Sequence, residues 1–91
     1  MKVRVSAICV STREKAVEIL EALKVGVEFE TLAARYSIHS SKSNGGDLGF
    51  ISRRRLHPSL EEKVFELKEG EVSNPLKTPE GWWVVKSVEK R

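Results

Sequence analysis

The stretch Ser43-Asn44-Gly45-Gly46-Asp47-Leu48-Gly49-Phe50 holds three glycines in five positions. Glycine loses more conformational freedom on folding than any other residue, so such a cluster is costly inside a helix or strand. It suits a loop whose backbone turns tightly through φ > 0 and then enters a strand. The chain is thereby divided: helical patterns lie before the loop, and a strand leads out of it. At 91 residues there is room for one domain and one modest core.

Val3 to Val10 is β-branched and partly alternating, which predicts a strand. Val3, Val5, Ala7 and Cys9 fall on one face, and Ser6, Ile8 and Val10 on the other. Both faces are largely apolar after Arg4, so the strand is expected to be central and covered on both sides. Ser11 or Thr12 can cap the next helix, and Glu14 stands where a capping box with Ser11 needs it. That helix runs to about Lys24, with Ala16, Ile19, Leu20 and Leu23 as its apolar stripe and Gly26 after it. A second helix is predicted over about Glu28 to Tyr36, with Phe29, Leu32, Ala33 and Tyr36 on one face. After the loop Ser37 to Gly46, Leu48 to Ser52 reads as a short strand. A third helix starts near Pro58, carries Leu60, Val64 and Leu67, and ends by Gly70. Glu71 to Lys77 contains Pro75 and reads as an edge strand, joined through the turn Thr78-Pro79-Glu80-Gly81 to a last strand, Trp82 to Val88. The order β-α-α-β-α-β-β predicts an α+β domain with a mainly antiparallel four-stranded sheet.

The charged fraction is 32% and the formal net charge +3, a slight bias toward acidic partners. Cys9 is the only cysteine, so no intrachain disulfide can form, and its apolar setting predicts a small buried hydrophobe. No apolar run of about 18 residues is present, so membrane insertion is not expected. His39 and His57, without nearby cysteines or paired carboxylates, make no metal-ligand set.

Four segments, in order and spacing, carry a resemblance to a known family. They are Phe29-Glu30-Thr31-Leu32-Ala33-Ala34-Arg35-Tyr36-Ser37, the glycine loop, Phe65 to Ser73, and Lys77-Thr78-Pro79-Glu80-Gly81. Together they resemble the parvulin family of peptidyl-prolyl cis-trans isomerases, and within it the bacterial foldase branch. The resemblance covers nearly the whole chain. It implies the parvulin fold, with an extra short helix within Ser40 to Asn44, and rotation about X-Pro peptide bonds as the activity. No cofactor is implied.

The resemblance also implies site residues. The family's proline pocket of Leu, Met and Phe corresponds here to Leu48, Leu56 and Leu60. Taken without the resemblance, each of these leucines reads as ordinary core. The family's pair of histidines on neighbouring strands is replaced by Ala7 and Trp83, a small residue beside a large one. Such a swap nearly conserves volume, which predicts that Trp83 leans over Ala7 and fills the space. The family's Cys or Asp at the mouth of the cleft is His39, which could donate to a substrate carbonyl and whose type changes charge near neutral pH. His57 takes the place of a polar residue whose backbone helps to hold substrate. Either histidine also reads as an exposed loop residue without a role. The phosphate-reading branch carries a basic cluster after the first strand. Ser11-Thr12-Arg13-Glu14-Lys15 is short and part-neutralised, so phosphopeptide specificity is not expected.

Two functions fit these residues. One is a working prolyl isomerase with weak turnover, because the histidine pair is gone. The other is a catalytically inactive, chaperone-type peptide-binding domain. Both take unfolded or proline-containing polypeptides as clients, and a monomer is expected. Arg53-Arg54-Arg55 with Trp82 and Trp83 opens a nucleic-acid reading. Consecutive strand residues face opposite sides, however, and Glu61, Glu62 and Glu66 dilute the charge, so no nucleic-acid partner is expected. The chain starts almost directly in a strand and stops directly after one, as a single domain over residues 1–91 taken from a larger foldase would. That reading points to the cell envelope or periplasm; a complete chain would be cytoplasmic.

Overall fold

β1 (Val3–Val10) is the strand around which the rest is arranged. The computed structural model describes residues 1–91. It places β1 in the middle of a four-stranded sheet of order β2-β1-β4-β3, with β2 at Asp47–Ile51, β3 at Leu76–Thr78 and β4 at Gly81–Lys90. Every pairing is antiparallel. α1 (Arg13–Lys24) and α2 (Phe29–Tyr36) cover one face, and α3 (Pro58–Glu66) covers the other. A short 3₁₀ helix occupies Ser40–Asn44, where the family resemblance implies one.

The alternation in β1 separates two cores. Val3, Val5, Ala7 and Cys9 pack with Leu60, Val64, Phe65 and Leu67 below α3, together with Trp83 and Val85. Ile8 and Val10 face the other way, onto Ala16, Ile19, Phe29, Leu32 and Ala33. Double cover explains why Val84 and Val85, adjacent in β4, are both fully buried. It also explains the tryptophans: Trp83 lies in the α3 core, and Trp82 packs against the α1/α2 core.

Four local expectations need correction. The cap of α1 is Thr12, whose Oγ1 accepts from the Lys15 amide, so the Ser11/Glu14 capping box does not form. Starting the helix one residue later puts Lys15, not Glu14, at the third helical position. Tyr36 is 39% exposed rather than buried, with Lys15 Nζ 5.1 Å from its ring centre. It is the last residue of α2 and has run past the edge of the core. α3 ends at Glu66; Leu67 turns extended and inserts into the core, and Gly70 serves the turn that follows. The predicted strand Glu71 to Lys77 is regular only from Leu76. Before that, Ser73 N donates to Val85 O, Val85 N donates to Ser73 Oγ, and Ser87 N donates to Glu71 O. Pro75 has no N–H, so this edge cannot form a continuous ladder.

One buried polar atom stands apart. Ser87 is fully buried, and its Oγ has no hydrogen-bond partner. An unpaired buried hydroxyl carries its desolvation cost without return. Ser87→Ala is therefore expected to raise stability by ~1 kcal/mol in urea unfolding. A loss of stability would show that the hydroxyl has a partner.

Candidate functional site

The candidate cleft lies on the α3 side of the sheet, where β1 loses its neighbour. β2 pairs with Val3 to Ser6, with a bulge at Val5/Ser6. Beyond that point β1 would have free backbone groups on one edge. They are taken up instead by the chain between α2 and β2. Ala7 N donates to Gly46 O (2.9 Å), Cys9 N to Ser37 Oγ (3.2 Å), and Ile38 N to Cys9 O (2.8 Å). Ser37 is 2% exposed, and its Oγ also accepts from His39 N.

This docking requires Gly46. A Cβ there would stand 2.6 Å from Ala7 O and press on Ala33 and Phe29, and its φ is +85°. Gly45, at φ +65°, closes the 3₁₀ helix in the left-handed region. Asp47 then ties the loop to the strand. Its carboxylate accepts from Arg4 Nη2 at 2.7 Å and Nε at 3.4 Å, and Oδ1 also accepts from Gly49 N at 2.8 Å. The Arg4 hydrogen bonds, then that of the Gly49 amide, hold the carboxyl below its usual range.

Trp83 lies in the core on the α3 side of the sheet. It is 3% exposed and shares a core with Ala7, which has no exposed surface. In register Trp83 stands opposite Cys9, and Ala7 opposite Val85, so Trp83 and Ala7 are diagonal neighbours on one face. Trp83 is therefore packed beside Ala7 and not turned to solvent. Trp83 Nε1 donates to Thr78 Oγ1 at 2.9 Å, which satisfies its only polar atom. Against the indole lies the His39 ring, with centroids 5.2 Å apart and planes tilted by 58°. His39 Nδ1 accepts from the Ser41 amide at 3.1 Å and lies 2.8 Å from Ser41 Oγ. With Nδ1 as acceptor, the neutral ring carries its proton on Nε2, which has no partner within the chain.

Leu48, Leu56 and Leu60 come together on this same core. Leu60 is buried, and Leu48 and Leu56 are partly exposed above it. His57 is apart from this group: it is exposed, and its Nδ1 accepts from the Ser59 amide as the cap of α3. Burial pushes the Cys9 thiol, nearby in the same core, up to about 11, so it stays protonated at neutral pH. No group of three or more His, Cys, Asp or Glu side chains is arranged to hold a metal ion. No helix is long and apolar enough to cross a membrane.

Thr78 and Ser37 were not singled out in the sequence. A buried indole N–H needs an acceptor, and the neighbouring turn offered Thr78 as one. Ser37 gave no such signal, because nothing local shows that the strand edge at Cys9 lacks a partner.

Comparison with known proteins identifies the family and the fold. Residues 4–89 match the family model described as rotamase, PPIC-type PPIase domain. The chain is 42% identical over 91 residues to the foldase protein PrsA of Bacillus subtilis, covering 99% of this chain and 31% of that protein. It is 39% identical over 77 residues to the chaperone SurA of Nitrosospira multiformis, covering 85% of this chain and 18% of that one. The chain thus spans about a third or less of these curated relatives. The crystal structure of Bacillus subtilis PrsA superposes with a TM-score of 0.96, covering 99% of this chain and 36% of the other. The solution structure of the parvulin of Nitrosopumilus maritimus, 36% identical, gives 0.90 and covers 97% of this chain and 96% of its own.

The Arg4–Asp47 tie predicts a pH dependence. The carboxyl's folded pKa lies below its unfolded value, so its contribution is present above the unfolded pKa of about 3.9 and is lost as pH falls through the folded one. Wild type should be more stable than Asp47→Asn at pH 7, and the gap should close in strong acid. An equal gap at all pH values would mean that the carboxylate's charge contributes nothing.

Proposed function

The chain belongs to the PPIC-type, or parvulin, family of peptidyl-prolyl cis-trans isomerases, and from that premise we propose how its altered cleft works. Foldase and chaperone relatives imply polypeptide clients. Leu48, Leu56 and Leu60 grip the proline ring of such a client, and His39 Nε2–H donates to a neighbouring backbone carbonyl. His57, whose carbonyl already accepts from the Leu60 and Glu61 amides at the start of α3, offers only its own amide N–H to the extended client.

Rotation about X-Pro needs no nucleophile. The barrier of about 18–20 kcal/mol is lost amide resonance. A dry, apolar surface favours the twisted amide, which is less polar than the planar one, and a fixed donor holds one side of the bond while the other turns. The observation that carries this reading is the packing of Leu48, Leu56 and Leu60 on the core that holds Trp83, with His39 against the indole. Turnover is weak, because Ala7 has no polar group and the Trp83 N–H is spent on Thr78. That same loss favours a second reading, a peptide-binding domain without turnover.

Exchange NMR on a short Ala-Leu-Pro-Phe peptide separates the two. Cis and trans signals should exchange faster than the uncatalysed process, which takes tens of seconds. His39→Ala, which removes one hydrogen bond, should slow the catalysed part by about tenfold, and Ala7→His with Trp83→His should raise it above wild type. Shifts in the protein's signals without faster exchange would establish the second reading.

A further inference from the structure

Arg54 is the only residue other than glycine with a positive φ, at 71°. The left-handed region is open to glycine and unfavourable for a side chain with a Cβ. Arg54 is held there by its own amide, which donates to Glu61 Oε1 at 2.6 Å. Glycine in its place would keep that hydrogen bond and lose the strain. A guanidinium kept at backbone cost points to use of the side chain.

Its surroundings say which use. Arg54 lies in the exposed turn Arg53-Arg54-Arg55, which leads directly into Leu56 of the cleft. None of the three arginines is in a salt bridge. The Arg53 guanidinium lies 4.5 Å from the Phe65 ring centre and so covers the core beneath. A shallow hollow of about 370 Å³ is lined by Arg53, Arg54, Pro58, Glu61 and Glu62. Glu61 accepts from the Arg54 amide and, with Glu62, borders the hollow, so the three arginines of the turn exceed these two carboxylates by one charge.

We infer that the Arg53–Arg55 turn, through Arg54, selects clients with acidic residues flanking the proline. This rests on the cleft reading above, which supplies the site for the proline itself. The turn adds charge complementarity next to a non-selective apolar grip, so it sets preference among clients and not the rotation step.

Two peptides test this by titration: a Leu-Pro-Phe core flanked on each side by two glutamates, and its glutamine counterpart. At low salt the acidic peptide should bind at least about threefold tighter, with the ratio shrinking at high salt. Arg54→Gly and Arg54→Asn should abolish the ratio while Tm stays the same or rises, and Arg54→Lys should keep it. Lys24→Gln, the same charge change across the sheet, should leave it unaltered. The inference is overturned if wild type shows no preference, if preference survives Arg54→Gly and Arg54→Asn, or if Lys24→Gln lowers it equally. In those cases binding of the glutamine peptide leaves the cleft reading standing. Binding of neither peptide overturns both.

Discussion

Beyond its bulge, β1 has no strand on one edge, and the rest of the site follows from how that edge is closed. A free amide and carbonyl row at a buried edge is costly. Here the segment from Ser37 to Gly46 turns back and supplies partners to Ala7 and Cys9. The same turn seats His39 beside Trp83 and starts β2 with Asp47 tied to Arg4. Gly46 is the residue that allows the approach, since any Cβ would collide with the Ala7 carbonyl. The glycine loop is thus a closing device for the sheet, and the cleft forms above it.

The second constraint is the exchange of a polar pair for a packed one. A histidine pair in a buried site needs partners for its ring nitrogens. Ala7 and Trp83 need one, and Thr78 provides it. The core on the α3 side is packed there, with the Trp83 N–H satisfied by Thr78.

Much of this was legible in the residues. The alternation in β1 and its cover on both faces follow from apolar patterning, and strand alternation placed Trp82 and Trp83 on opposite faces. Pro75 correctly marked a sheet edge. What escaped was set by contacts distant in sequence. Whether Ser11 or Thr12 caps α1 depends on where the strand releases the chain. Tyr36 has the right spacing for burial, but α2 outruns the core there. The strain at Arg54 cannot be read from an arginine-rich run, because the turn is imposed by Glu61 in the next helix. The same holds for the tilted contact of His39 with Trp83, which joins the start of one loop to a strand more than 40 residues on.

The proposed grip on the client depends on His39 presenting a free Nε2–H beside Trp83. Long-range proton–nitrogen NMR on the imidazole rings, recorded as a proline peptide is added, reads this directly. The neutral His39 ring should show a bare Nδ1 and a protonated Nε2, and the Nε2 signal should move on peptide binding while Nδ1 keeps its hydrogen bond to Ser41. A proton on Nδ1, or an Nε2 signal indifferent to bound peptide, would contradict the account.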